Sequence, residues 1–415
     1  MNSLPLMATR MLKAAALLLL TVGGACAASA DQYPHAKEPI GTVRHMYDGA
    51  LMPDIAVNTF RNIDRLFPAR VVPHGKFVHP LPKSPRPLTQ VQFTSNGRSW
   101  DLFDYLAVNR VAGLLVIKDG AIAFETYQYG NTEKTRWMSM SVAKSITSTL
   151  IGAAIREGLI GGIEEPVTKY VPQLVGSAYD GVSIRDVLMM SSGVRWNETY
   201  TDPTSDRRRL LDIQIAQQPG AAIALMASLP RAAPAGTVNN YSTGETQIAG
   251  EALHTAINRP LAEYLSERIW TKYGMEADAN WWLASPGGRE MAGSGFSARL
   301  RDYGRFGLFF LGGGVAQGEE ILPSGWTTEA GTPKVLKNGK PLEYGYFWWP
   351  AWATKANPNP QGAYAAVGIF GQYIYIDPKE QLVIAAWGAR SKPEGMDVID
   401  DMDFFAAVAA ALQQR

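Results

Sequence analysis

Two apolar, β-branched runs in "VAGLLVIKDGAIAFETYQYG" are separated by Lys118-Asp119-Gly120, and the Asp-Gly step suits a tight turn, so this stretch predicts a β-hairpin. The next apolar positions, Ile146, Leu150, Ile151, Ala154, Ile155 and Leu159, recur at steps of three and four, which predicts an amphipathic helix beginning near Ser141. "IEEPVTKYVPQL" and "VSIRDVLMMSSGV" predict shorter helices, the second stopped by Gly193 in the left-handed conformation. Helical patterns and long loops then continue to about Leu311. Strand-like runs return in "YGYFWWP", "AYAAVGIF" and "QYIYIDPKEQLVIAAWG", the last with a hinge at Asp377-Pro378, and "VIDDMDFFAAVAAALQQR" closes the chain as a helix. Early hairpin, helical middle, late meander and final helix imply an α+β fold: one antiparallel sheet built from both chain ends, flanked by helices, with a helical lobe inserted. The sheet lobe is expected at about 91–140 and 335–415 and the helical lobe at about 141–334, together one catalytic domain over 91–415.

The segment 31–90 has no sustained period, and its prolines at 73, 80, 82, 85 and 87 can neither continue a helix nor sit inside a sheet. It predicts an extended arm wrapping the body. Ahead of it, Arg10 and Lys13 precede the apolar run "AAALLLLTVGGACAASA", which ends in small residues with Ala-X-Ala spacing at Ala28 and Ala30. This is the three-part pattern of a secretory signal over 1–30, with an apolar core too short to span a bilayer, so a periplasmic or secreted protein without stable membrane insertion is expected. Cys26, the single cysteine, lies inside that signal, so the mature chain has no disulfide, no thiol nucleophile and no thiolate metal site.

At 415 residues, 46% hydrophobic and 19% charged, the composition is that of an ordinary globular protein. A net charge of +1 provides no broad basic surface for nucleic acid or anionic lipid, and the one basic run, Arg207-Arg208-Arg209, is read as a solvated helix end. The expected partner is a small uncharged or mixed substrate.

A serine hydroxyl needs a neighbour to take its proton, commonly a histidine held by a carboxylate. The sequence has no Gly-X-Ser-X-Gly, and His35, His45, His74, His79 and His254 all lie outside any triad or metal-ligand spacing, so they are read as structural and no metal or cofactor is expected. Lysine is the alternative base. In "RWMSMSVAKSITSTLIGAAIREGLI", Ser141 and Lys144 are three apart on one helix face, at a first turn whose free N–H groups and positive dipole favour an oxyanion and disfavour an ammonium. A neutral lysine near pH 7 requires its pKa to fall by about 3 units, or about 4 kcal/mol, through burial or a second positive group. Tyr241 in "NNYSTGETQIAG" can pass the proton onward, and Gly368 and Gly371 in "AVGIFGQYIYIDP" let a strand approach a ligand closely. Taken singly, each has an equally good structural reading: Tyr241 as the residue before a helix capped by Ser242 or Thr243, the glycines as turn formers. The tryptophans at 281, 282, 348, 349 and 352 suit a pocket lining or a core equally.

Taken together and in order, "SMSVAKS", "PVTKYVPQL", "SIRDVLMMSSGVRW", "YSTGETQIAG", "GSGFSARLRDYGRFG", "YGYFWW" and "GIFGQYIYIDP" resemble the serine hydrolases of β-lactamase/transpeptidase-like fold. That group comprises class C β-lactamases, penicillin-binding-protein-like enzymes and family VIII esterases, and the likeness is greatest to its 6-aminohexanoate-dimer hydrolase branch. The resemblance implies Ser141 as acylated nucleophile, Lys144 as proton acceptor and Tyr241 as proton shuttle. It further implies an oxyanion hole from the backbone N–H groups of Ser141 and Ile369, and substrate contacts at Tyr200, Thr243 and Gly368. Two departures bear on substrate: Thr243 stands where class C enzymes carry the asparagine of Tyr-X-Asn, and no lysine or histidine lies near Val367-Gly368 to hold a substrate carboxylate. A small ester or linear amide is therefore the expected substrate, ahead of β-lactam or D-Ala-D-Ala peptide hydrolysis, with a catalytically silent binding protein as the reading from another class.

Overall fold

The computed structural model describes residues 33–360 and 362–413. The expected signal sequence, with Cys26, lies outside the described residues. From Pro34 onward the chain forms one contact unit built on a six-stranded antiparallel sheet. Its strands are β1 (Val111–Lys118), β2 (Ala121–Tyr127), β3 (Trp349–Pro350), β4 (Tyr364–Gly368), β5 (Gln372–Asp377) and β6 (Leu382–Gly388), in the order β3-β4-β5-β6-β1-β2. The two ends of the chain therefore meet where β6 pairs with β1, Leu382 opposite Lys118 through Ala386 opposite Leu114. The β1–β2 turn has positive φ at Asp119 and Gly120, the primed-turn geometry that Asp-Gly favours.

Both faces of the sheet are covered, which explains why β1 and β6 are continuous apolar runs. Leu115, Ile117, Ile374, Val383 and Trp387 point into one core, Leu114, Val116, Tyr373, Ile384 and Ala386 into a second. The helix Leu300–Leu311 lies on the first face, and the absence of side chains at Gly304 and Gly307 lets it approach closely: a Cβ there would come within 2.6 Å of Leu115 and 2.5 Å of Val383. The helices Leu102–Val108 and Asp401–Gln413 cover the second face with Tyr105, Phe404, Phe405 and Val408.

A smaller antiparallel sheet, in the order Ala69–Val72, Ala279–Trp282, Phe296–Arg299, Arg136–Met138, stands beside this body. Its edge strand comes from the segment expected to be an extended arm. That segment is instead partly regular, with helices Val43–Tyr47 and Pro53–Phe60 ahead of the strand; only the proline-rich stretch after Pro73 runs largely without regular structure. Pro53 opens its helix at the first position, where a missing N–H costs nothing, so the arm's prolines do not all argue against helix.

The helix predicted after the hairpin runs Val142–Arg156 and is buried on every side from Val142 to Ala154, so it is a central helix and not the amphipathic one expected. Leu159, placed on its apolar face by periodicity, lies beyond its end and is exposed. The helix Ile184–Leu188 ends before Gly193, with Met190 already at positive φ. Gly193 also adopts positive φ, where a Cβ would strike the Ala233 carbonyl at 2.0 Å. The basic run is a second reversal: Arg207 and Arg208 are buried, and only Arg209 faces water. No helix among the described residues is long and apolar enough to cross a membrane.

The closing helix is tied down by a buried ion pair. Arg390 Nη2 meets both oxygens of Asp401, at 2.7 and 2.6 Å, and Asp401 Oδ1 also accepts from Tyr105 Oη at 2.8 Å and Asn109 Nδ2 at 3.2 Å. Removing one member leaves the other charged and buried without its partner, which costs about 3–5 kcal/mol. Asp401→Ala is expected to lower the unfolding free energy in urea by that amount; a loss below about 1 kcal/mol would contradict the role given to the pair.

Candidate active site

Strand Arg136–Met138 delivers the chain to Ser141. The Ser139 N–H donates to the Phe296 carbonyl at 2.8 Å, extending the small sheet by one bond, and Met140 then turns in the left-handed region at φ 44°. A non-glycine residue in that region is strained, and the sheet on one side and the central helix on the other hold it there. Ser141 is the N-cap residue, but its side chain makes no capping bond, so the hydroxyl is free to turn away from the helix.

Lys144 lies one turn along, 1% exposed. Its Nζ is 3.0 Å from Ser141 Oγ, 3.0 Å from Thr243 Oγ1 and 2.8 Å from the Gly293 carbonyl oxygen. The residue before Gly293 is held at both its backbone groups: Thr147 Oγ1 donates to the Ala292 carbonyl at 2.8 Å, and the Ala292 N–H donates to Gln247 Oε1 at 3.1 Å. Burial pushes the Lys144 ammonium down to about 7; the nearby Glu198 charge opposes that shift and Arg207 adds to it. Loss of hydration thus meets the requirement of about 4 kcal/mol that a neutral lysine sets. An uncharged amine at this distance from a hydroxyl can accept its proton.

Tyr241 precedes the helix Thr243–Ile257, whose N-cap is Ser242. Its phenol lies near enough to the Ser141 side chain for that hydroxyl to lower its pKa against the larger effect of burial, and its ring centroid is 5.4 Å from Lys144 Nζ. Burial and the Glu198 charge hold the phenol well above its usual range, so near neutrality it keeps its proton. The ring is wedged against Trp349 at 5.6 Å and Tyr344 at 6.3 Å.

The strand β4 passes the turn that bears Ser141 in tight contact. A Cβ on Gly368 would lie 2.4 Å from the Ser139 carbonyl and 3.1 Å from the Ser141 nitrogen, so only glycine allows β4 to pass this close. Ile369 follows at the start of a turn whose central residues, Phe370 and Gly371, both have positive φ. Phe370 is held in that conformation by packing on Phe60 from the arm, with ring centroids 5.0 Å apart. The N–H groups of Val142, Ala143 and Lys144 are used by the preceding turn, bonding the carbonyls of Ser139, Met140 and Ser141. The free donors expected at the helix start are therefore fewer than its geometry allows, whereas the N–H groups of Ser141 and Ile369 have no backbone partner among the described residues.

These groups border a cavity of about 420 Å³ lined by Ser141, Glu198, Thr199, Tyr200, Tyr241, Trp349, Val367, Ile369 and Glu394. Of the sequence-predicted residues, Ser141, Tyr241, Ile369 and Tyr200 reach the cavity, while Lys144, Thr243 and Gly368 stand behind it. Tyr200 stacks on Tyr47 of the arm, with centroids 6.3 Å apart. The pattern reading missed Glu198, whose carboxylate accepts from the Thr243 hydroxyl at 2.5 Å, the Thr243 N–H at 2.9 Å and the Trp196 indole N–H at 2.5 Å. It also missed Glu394, on the loop after β6. Glu198 sits two residues before Tyr200 in "NETYTDP", the one signal that could have drawn notice; nothing local marks Glu394. Of the five tryptophans weighed, only Trp349 lines the cavity; 281, 282 and 348 are core and 352 is at the surface. The histidines at 35, 74, 79 and 254 engage Glu38 and Thr135, Asp278, Tyr273, and Arg289 respectively, all outside the cavity. Among the described residues no group of three or more His, Cys, Asp or Glu side chains could hold a metal.

Residues 105–408 match the family model described as Beta-lactamase. The chain is 30% identical over 308 residues to the 6-aminohexanoate-dimer hydrolase of Paenarthrobacter ureafaciens, covering 71% of this chain and 76% of that protein. In fold it is similar to a solved Bacillus anthracis protein assigned as a 6-aminohexanoate-dimer hydrolase, with a TM-score of 0.74 at 24% identity over 86% of this chain and 94% of the other. It is also similar to a family VIII carboxylesterase structure, with a TM-score of 0.55 at 16% identity over 72% and 91% of the two chains.

Lys144 is expected to titrate near neutrality. In an NMR titration of Cε-labelled lysine, assigned by Lys144→Arg, its resonance should move with a midpoint of about 7, and a midpoint in the ordinary lysine range would refute the burial argument.

Proposed function

The chain belongs to the beta-lactamase family, and we propose that within it this protein is an exported serine hydrolase cleaving small esters or linear amides through an acyl-enzyme on Ser141. The observation that carries the reading is the position of one buried amine, with its ammonium pushed down to about 7, 3.0 Å from one hydroxyl at the wall of a cavity. The charged and apolar leader pattern at 1–30 supports export.

In the proposed reaction the Ser141 proton passes to Lys144 Nζ as Oγ attacks the substrate carbonyl carbon. The carbonyl oxygen, now negative, is received by the N–H groups of Ser141 and Ile369. The C–O or C–N bond breaks as the leaving group takes a proton through Tyr241, whose own proton is replaced from Lys144. Water then attacks the acyl ester along the reverse path and releases the acid. No cofactor enters this scheme.

The charge of the cavity wall bears on substrate. Among its described lining residues are two carboxylates, Glu198 and Glu394, and no lysine, arginine or histidine. A β-lactam or D-Ala-D-Ala peptide presents a carboxylate, which here would meet negative charge and forgo a charge-assisted bond of about 1.5–3 kcal/mol. Esters and amides without that carboxylate meet no such penalty, and an ammonium such as the one on a linear aminohexanoate dimer would be drawn to the two glutamates.

The test is a panel of short-chain nitrophenyl esters, a linear aminohexanoate dimer and nitrocefin. Wild type is expected to hydrolyse at least one ester or the dimer, with nitrocefin slower by about tenfold to a hundredfold in kcat/KM. Ser141→Ala should lose about 10³-fold or more in kcat together with all fluorophosphonate labelling. Because Lys144 must be uncharged to accept the proton, kcat/KM should rise with pH to a plateau above about 7. Full turnover by Ser141→Ala would defeat the reading; absence of both turnover and labelling in wild type would favour a silent binding protein.

A further inference from the structure

The hydrogen-bond directions around Lys144 are determined by groups that have no choice. The Gly293 carbonyl can only accept. Thr243 Oγ1 can give or accept, but it lies 2.5 Å from Glu198 Oε1, while Glu198 Oε2 already receives the Thr243 N–H and the Trp196 indole N–H. A carboxylate only accepts, so the Thr243 proton goes to Glu198 and a Thr243 lone pair faces Lys144. A neutral amine has two protons, and both are now committed, to the Gly293 carbonyl and to Thr243 Oγ1. The third direction left on Nζ, its lone pair, faces Ser141 Oγ, 3.0 Å away.

We propose that Glu198 is a positioning residue that acts through Thr243: by fixing which way the Thr243 hydroxyl points, it aims the Lys144 lone pair at Ser141. The inference rests on the reading of Ser141 as nucleophile and Lys144 as its base. The Ser141 O–H bond breaks, the proton joins Nζ, and the electron pair remains on Oγ for attack on the carbonyl carbon. The resulting ammonium has three N–H groups for the same three oxygens, so nothing around it has to reorient during the transfer. In this chain the Thr243–Glu198 pair thus supplies a polar group whose acceptor direction is imposed from behind.

The charged groups facing this cluster are few. Arg207, buried, has its Nε 3.9 Å from Glu198 Oε1 and its guanidinium 4.5 Å from the centre of the Tyr47 ring, and it also acts on Lys144 and Tyr241. Glu394 repels Glu198 from the cavity mouth. Tyr241 and Tyr200 face the same carboxylate as neutral phenols.

Glu198→Gln separates direction from charge. The carbonyl oxygen of the amide is drawn to the two N–H donors, which places its NH₂ against Thr243 Oγ1. Thr243 then receives a proton where it had given one, turns its own toward Lys144, and draws the lysine lone pair away from Ser141. The expected result is a fall of about 30- to 100-fold in plateau kcat for a nitrophenyl ester, with KM changed less than about threefold. The acid limb should move to lower pH at the same time, because the substitution removes the charge that holds the Lys144 ammonium up. Thr243→Val should reproduce the kcat loss, Thr243→Ser should restore most of it, and the double variant Glu198→Gln/Thr243→Val should be no worse than Thr243→Val alone, since both act through one bond. A plateau kcat within about threefold of wild type in Glu198→Gln, with only the limb displaced, would overturn the proposal, as would additive losses in the double variant. Should Glu198→Gln lack a cooperative thermal transition, wild-type kcat in Thr243→Val overturns it equally. Failure of the underlying reading looks different: Ser141→Ala would then remain active, whereas an inactive Ser141→Ala beside a fully active Glu198→Gln defeats only the role of Glu198.

Discussion

The withdrawal of one lysine amine from water is the constraint to which the rest of this structure answers. Lys144 can be uncharged near neutrality only because its helix is buried through its first three turns, and a helix so placed needs packing on every side. That requirement accounts for the hydroxyl-rich sequence "SITST" after Lys144. Ser145 and Thr147 donate to the carbonyls of Phe347 and Ala292 and so pin two distant segments against the helix, while Thr149 donates to the Ser145 carbonyl. One of those segments carries the Gly293 carbonyl, the other leads to Trp349 on the cavity wall.

The same constraint fixes where the substrate cavity can be. The turn bearing Ser141, the proposed nucleophile, leaves the small sheet, Tyr241 leaves the helical segment and Ile369, the proposed second oxyanion donor, follows β4 of the large sheet, so the proposed site exists only where these three segments meet. Gly368 sets the closeness of that meeting. The N-terminal segment takes part as well: Phe60 supports the turn after Ile369, and Tyr47 lies under both Tyr200 and Arg207. It is a wall of the site as much as a wrapping, so its loss would disturb the cavity before it exposed the core. The electrostatics inside are a balance of opposed charges: Glu198 favours the ammonium that Arg207 and burial disfavour, leaving the amine close to its titration point near pH 7.

Much of this was legible in the residues, and the division has physical causes. The hairpin at Asp119-Gly120, the strands Tyr364–Gly368, Gln372–Asp377 and Leu382–Gly388 and the closing helix follow from local pattern; the strand expected in "YGYFWWP" forms only at Trp349–Pro350, because the aromatic run before it is buried as a loop, which local pattern does not distinguish from a strand. Ser141, Lys144 and Tyr241 could be singled out because helix geometry joins the first two and the resemblance joins the third. Burial was harder to read. The periodicity of Ile146 to Ile155 suggests one apolar face, but serine and threonine hydroxyls that bond neighbouring carbonyls are invisible to it, so a helix buried all round reads as an amphipathic one. Arg207 and Arg208 misled for a similar reason: their partners, Tyr47 and Asp48, lie about 160 residues earlier, and no local pattern reports them. Glu198 and Glu394 belong to loops whose only order comes from the fold around them.

The proposed reaction requires Lys144 to take the Ser141 proton as the acyl bond forms, and the pre-steady-state rate of acylation measures that step. Wild type mixed with a nitrophenyl ester, quenched in acid and digested should carry the acyl mass on the peptide containing Ser141, forming at a rate that climbs with pH and levels off above about 7. An acyl group found on any other residue, or a Ser141 acylation rate indifferent to pH across that range, would contradict it.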